Sequence, residues 1–169
     1  MNYRHAFHAG SFADVIKHIV LVRILLYLQE KPAAFRVIDT HAGAGRYDLT
    51  GEEAERSGEW KSGIARMMQA RFSDKALPLL LPYLDIVRAF NSGADLKAYP
   101  GSPLIARALL RPQDIRASRL VVCDPTPIPH DEMQRTYDWL KSWDMLQETA
   151  SPLHLVNMGV QAQAHAPAV

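Results

Sequence analysis

The sequence predicts an α/β domain built around a parallel sheet, and three observations carry that expectation. Apolar residues recur at helical spacing through residues 11–29. A short run, "RVID" at 36–39, ends on an acid and leads into Ala42-Gly43-Ala44-Gly45. A second run, "RLVVCD" at 119–124, also ends on an acid and follows another helical segment. Strands alternating with helices are the pattern of βα units and parallel sheets.

Taken in order, the first helix has Ser11 placed as its N-cap and Asp14 in its first turn, near the positive end of the helix dipole. Phe12, Val15, Ile16, Ile19 and Leu26 form its apolar stripe, with Asp14, Lys17 and His18 off or beside it. Pro32 ends the element, and "FRVID" at 35–39 follows as a strand. From Thr50 to Phe90 the spacing is helical again. Trp60, Ile64, Met67 and Met68 mark one inner face, and Leu80, Leu84, Val87 and Phe90 mark another. Pro78 and Pro82 should trim or kink the second of these helices. "NSGAD" at 91–95 reads as a turn. In "YPGSPLIARALL" at 99–110, Ser102 takes the N-cap position and Pro103 the first helical position. The strand 119–124 comes next. "PTPIPH" at 125–130 is a break, Met133, Tyr137, Leu140 and Trp143 form a further helical stripe, and "GVQAQAHAPAV" has little to pack.

The chain has 169 residues, enough for one domain with a core. Its 48% hydrophobic and 22% charged residues match an ordinary soluble protein. A net charge of +1 neither requires nor excludes a nucleic-acid partner, because a local patch can still be basic. The single cysteine, Cys123, rules out an internal disulfide and suits a cytoplasmic location. "MNYRHAFHAG" lacks the order of a secretion signal, and the apolar run 19–28 is too short to span a bilayer and carries Arg23. No membrane partner is therefore expected. His5, His8, His18 and His41 crowd the N-terminal part, but their spacing and the lack of thiolate partners do not suit a metal, and none is expected.

A strand, a glycine turn and a helix together can serve three ligand classes. A P-loop requires Gly-Lys-Ser/Thr, whereas Gly45 is followed by Arg46-Tyr47. A dinucleotide fold wants G-x-G-x-x-G, and position 48 is Asp48. S-adenosyl-L-methionine binding fits better: "DTHAGAG" puts an acid at the strand end and glycines where backbone can approach the amino-acid half of the cofactor. An acid closing the next strand, at Asp124, would then hold the ribose hydroxyls. The same glycines would also suit a plain tight βα turn.

"YRHAFHAG", "ADVIKH", "DTHAGAGRYDL", "AERSGEW", "GIARM" and "YPGSPLIARALLRPQD" together resemble the bacterial RlmJ family, from Met1 to about Asp114. That family comprises S-adenosyl-L-methionine-dependent methyltransferases acting on adenine N6 of 23S ribosomal RNA, as protein-free RNA or an early assembly intermediate. The resemblance implies a Rossmann-like class I methyltransferase domain with an inserted helical subdomain. Residues 1–49 and 97–124 would form the cofactor-binding part, 50–96 the insertion and 125–169 a divergent tail. By the same resemblance His18, His41, Gly43, Gly45, Ser102 and Asp124 would contact the cofactor, and Tyr3 and Arg4 the RNA.

After about residue 115 the chain departs from the quoted pattern. Adenine N6 is a poor nucleophile, and N6 methyltransferases present an Asp/Asn-Pro-Pro-aromatic motif that accepts the amino hydrogens and stacks on the flipped base. The nearest string here is Asp124-Pro125-Thr126-Pro127, which makes Asp124 the only catalytic candidate. Two functional expectations follow. One is an active methyltransferase. The other is a catalytically incomplete fragment or fusion remnant, with an incomplete sheet, that binds cofactor or RNA weakly.

Overall fold

The computed structural model describes residues 4–39, 42–91, 93, 95–117 and 119–120. In these, a 3-10 turn (His5–Phe7) precedes α1 (Phe12–Gln29), β1 (Ile38–Asp39) and β2 (Arg46–Asp48). There follow α2 (Glu52–Ser57), a π-turn (Lys61–Ala65), α3 (Arg66–Gln69), α4 (Leu77–Ala89), β3 (Ala98–Pro100), α5 (Ser102–Leu109), α6 (Pro112–Ala117) and β4 (Arg119–Leu120). The chain has an α/β fold.

β1 and β4 pair in parallel, Ile38 with Arg119 and Asp39 with Leu120, as the two acid-ended runs predict. The first strand is shorter than "FRVID" suggested. Phe35 lies outside the ladder, and its N–H goes to the Asp114 carboxylate at 3.1 Å. Arg111 completes this clasp: it grips Asp114 at 2.7 Å and donates to the carbonyls of Lys31 and Ala33. The second strand is described only as far as Leu120, so its expected continuation to residue 124 lies outside the described residues. β2 and β3 form an antiparallel ladder that the sequence patterning did not reveal. Each has only three residues, too few for alternation to register. Asn91 ties β3 to the end of α4: its Oδ1 accepts from Lys97 and Ala98 N–H at 2.8 Å each, and its amide donates to the Val87 and Ala98 carbonyls.

Ser11 caps α1 as expected, accepting from Asp14 N–H. The face that α1 buries follows the predicted stripe only in part: Val15 is buried and Ile19 and Leu26 pack against the core, as expected, whereas Phe12 and Ile16 do not. Asp14, Val15, His18, Val22 and Leu25 point inward, while Phe12 is 71% exposed and Ile16 48%. Apolar residues line both faces of this helix, and Val20, Ile24 and Tyr27 continue the outward one. Hydrophobic spacing alone therefore could not choose between the faces. The inward face reaches α4, α5 and the π-turn. A close crossing fixes it there: Gly10 has φ +71°, its carbonyl accepts from Ile64 N–H at 2.9 Å, and a Cβ on Gly63 would collide with the Gly10 carbonyl.

Residues 52–90 carry helices and no strand, as expected, but the first of the two expected helices is broken by the left-handed Gly58 and by the non-helical Gly63, and it stops at Gln69, with 70–76 non-helical before α4. Ile64, Leu84 and Val87 are buried, and Trp60, Met67, Met68, Leu80 and Phe90 pack against them. Pro78 sits in the first turn of α4, where its missing N–H costs nothing. Pro82 is accommodated inside the helix, so α4 runs on to Ala89.

Candidate functional site

The glycine turn is built from left-handed residues, Gly43 at φ +62° and Gly45 at φ +78°. Its last carbonyl, on Gly45, accepts from Gly101 N–H at 2.6 Å, which joins the turn to the start of α5. Gly101 is the N-cap of that helix, because its carbonyl is the first to accept from Ile105 N–H. Ser102 therefore stands one position inside the helix rather than at the cap where the sequence pattern put it. At Gly43 the space a side chain would need is already filled: a Cβ would overlap the hydroxyl of Tyr47. The glycine is required by its φ and by Tyr47 packing across the turn.

Tyr47 faces Tyr99 in the β2–β3 ladder. Tyr99 carries the ladder to α1, its hydroxyl lying 2.8 Å from Nδ1 of His18 and 3.0 Å from the hydroxyl of Tyr83 on α4. His18 is 1% exposed, and its Nε2 has no hydrogen-bond partner among the described residues. One turn before it on α1, Asp14 is also buried. Its carboxylate meets His5 Nε2 at 2.9 Å and Lys17 Nζ at 2.7 Å, and accepts from Gly10 N–H at 3.2 Å. The His5 ring packs edge-on against Tyr47 with centroids 5.1 Å apart, which returns the network to the glycine turn.

Burial pushes His18 down to about 3, so the ring is neutral at ordinary pH despite the negative charge of Asp14. Burial would raise Asp14, but the hydrogen bond and charge of His5, together with the hydrogen bond of Lys17, outweigh it and hold the carboxyl well below the usual range. Burial raises both tyrosines, which stay protonated and able to donate. The cluster is thus a carboxylate held by Lys17, His5 and a backbone N–H, beside a neutral imidazole bonded to one phenol, Tyr99, that is itself bonded to a second, Tyr83.

Of the sequence-predicted cofactor residues, the structure brings Gly45 against the N-terminus of α5, where Ser102 lies, and Gly43 against Tyr47. It links His18 to the same place through Tyr99. His41, Asp124 and Tyr3 lie outside the described residues. Arg4 is exposed and pairs with Glu53 at 3.3 Å. Sequence reasoning missed Tyr99 as the partner of His18, Tyr83 behind it, and Asp14 as the neighbouring buried charge. A signal existed: Asp14 and His18 are four residues apart, which places two polar groups on one helix face.

Residues 32–135 match the family model for "Ribosomal RNA large subunit methyltransferase D, RlmJ". The chain belongs to that family. It is 53% identical over 114 residues to "Ribosomal RNA large subunit methyltransferase J" of Escherichia coli (strain K12), covering 68% of this chain and 40% of that protein. It is 46% identical over 116 residues to the protein of the same name from Haemophilus influenzae, with the same coverage of each. The chain therefore spans about 40% of the length of these curated relatives. A crystal structure of a Legionella pneumophila protein is similar at TM-score 0.62 and 34% identity, over 89% of this chain and 49% of the other. Among the described residues no helix is long and apolar enough to cross a membrane.

Proposed function

We propose that this RlmJ-family chain binds S-adenosyl-L-methionine beside the glycine turn and serves methyl transfer to adenine N6 of 23S ribosomal RNA. In this reading the fold is a Rossmann-like class I domain made from 1–49 and 97–124, with 50–96 as a helical insertion. The observation that carries the proposal is the orphaned Nε2 of His18, buried and linked through Tyr99 to the strand that leads out of the turn. A buried polar nitrogen left without a partner costs about 1–3 kcal/mol, which a ligand group can recover. When bound, the cofactor supplies an activated methyl group on a sulfonium.

The chain's own residues have separate tasks. His18, His41 and Ser102 hold polar groups of the cofactor, the Gly43–Gly45 turn lets backbone come close, and Asp124 takes the ribose hydroxyls. Tyr3 and Arg4 meet the RNA, Arg4 exchanging its exposed partner Glu53 for a phosphate. This set suits a cytoplasmic enzyme acting on RNA.

Calorimetry tests the cofactor assignment. The parent should bind S-adenosyl-L-methionine saturably, and His18→Phe should weaken binding at least tenfold while still melting cooperatively. No binding by the parent, or unchanged binding by the variant, would overturn it. One observation favours a second reading: the 169 residues hold no Asp-Pro-Pro-aromatic string. On that reading the chain binds cofactor without transferring methyl, since base stacking is worth about 1–3 kcal/mol per base and no ring adjoins Asp124. A tritiated-methyl transfer assay on unmodified ribosomal RNA, beside a longer family member, separates the two. Comparable incorporation that Asp124→Ala abolishes would establish the active enzyme.

A further inference from the structure

We infer that Tyr99, backed by Tyr83, sets the tautomer of His18 so that its Nε2 carries the proton and presents a donor to the bound ligand. The inference rests on the cofactor reading for the identity of that ligand but not for the tautomer itself. The three groups form one buried chain: Tyr83 hydroxyl, Tyr99 hydroxyl at 3.0 Å, and His18 Nδ1 at 2.8 Å. Tyr83, Tyr99 and His18 are each no more than 1% exposed, so water does not compete for these bonds. A neutral imidazole has one N–H and one lone pair. If Tyr83 donates to the Tyr99 oxygen, the Tyr99 proton is directed to Nδ1, and Nδ1 must be the lone pair. The proton then lies on Nε2, the atom that has no partner in the protein.

The opposite arrangement, with Nδ1–H donating to Tyr99, would leave Nε2 as a buried bare acceptor. Such an atom suits a ligand donor, whereas an Nε2–H suits an acceptor such as the carboxylate of an amino acid. Two phenols in series favour the second case: in the reverse chain Tyr99 would donate to Tyr83, whose buried O–H would then have no acceptor among the described residues, whereas with Tyr83 donating to Tyr99 and Tyr99 to Nδ1 both phenol protons are used. Tyr83 belongs to α4 and Tyr99 to β3, so two elements outside α1 decide what His18 offers. Tyr99 and Tyr83 are positioning residues: neither needs to touch the ligand.

Nitrogen-15 NMR of the histidine rings in the ligand-free protein reads the tautomer directly. The parent should show His18 with a protonated Nε2 and a hydrogen-bonded, unprotonated Nδ1. Tyr99→Phe should shift the Nδ1 resonance and populate the other tautomer, and should weaken S-adenosyl-L-methionine at least tenfold by calorimetry. Tyr83→Phe, which leaves the Tyr99 hydroxyl in place, should give a mixture and a smaller loss. A parent with its proton on Nδ1 would overturn the inference whatever the variants do. So would an unchanged tautomer in Tyr99→Phe or, if that variant does not melt cooperatively, in Tyr83→Phe. If the tautomer responds but the parent binds no cofactor, the ligand reading fails and the tautomer control stands.

Discussion

At the scale of single residues, His18 ties stability to pH. Its folded value of about 3 lies below the ordinary histidine value of 6.5, so the unfolded chain binds more protons between these limits. Stability therefore falls as pH drops below 6.5, by up to about 1.4 kcal/mol per pH unit from this one group. Asp14 acts in the same direction but later. Its carboxyl is depressed in the fold, so its contribution is complete above the unfolded carboxylate range and lost only on further acidification. Urea unfolding at pH 6.5 and pH 4.5 should show the loss in the parent, and His18→Phe should flatten it. An equal decline in parent and variant would show that His18 is not the group responsible. Gly43 shows how far a motif carries. The turn was legible from "AGAG", but beside its left-handed φ what makes glycine necessary at 43 is Tyr47, four residues on, and no local pattern indicates that a tyrosine folds back over the turn.

At the scale of elements, α1 gives the sharpest test. Leu25 is buried and Ile16 half-exposed on the other face. Leu25→Ala should cost about 2–5 kcal/mol, as core truncations to alanine do, while Ile16→Ala should stay within about 0.5 kcal/mol. Chemical denaturation measures both, and a larger loss for Ile16 would mean that the helix is rotated relative to the core. The extent and cap of α1 were legible, because Ser11 and Pro32 are local signals. Its orientation was legible only in part: Val15, Ile19 and Leu26 pack inward, but Phe12 and Ile16 do not, because the face depends on what α4 and α5 present to it. The helices of 52–90 were legible from their apolar faces, but the break at Gly58 and the non-helical 70–76 were not. The β2–β3 ladder was not legible, because each strand has only three residues and the two are joined by Gly45 meeting Gly101, a contact between distant stretches of chain.

At the scale of the whole molecule, a net charge of +1 makes RNA affinity a matter of local charge. Binding to ribosomal RNA through the Arg4 end should weaken linearly in log–log terms as salt rises, with a slope near −0.7 to −0.9 per phosphate contact. Tyr3→Ala should reduce discrimination between cognate and unrelated RNA more than overall affinity. Filter binding insensitive to ionic strength would remove RNA from the proposal. The pairing of β1 with β4 was legible at this scale from two acid-ended apolar runs. The clasp beside it has a kinetic consequence. Phe35 and Asp114 are separated by 79 positions along the chain. Closing so long a loop costs entropy before any contact repays it, and parallel pairing across such a separation is intrinsically slow. The helices between these two points can form on their own timescale, but the edge of β1 must wait for residues 111–120 to arrive. Until then Ile38, more than half exposed even in the finished fold, is available to any other strand that reaches it first.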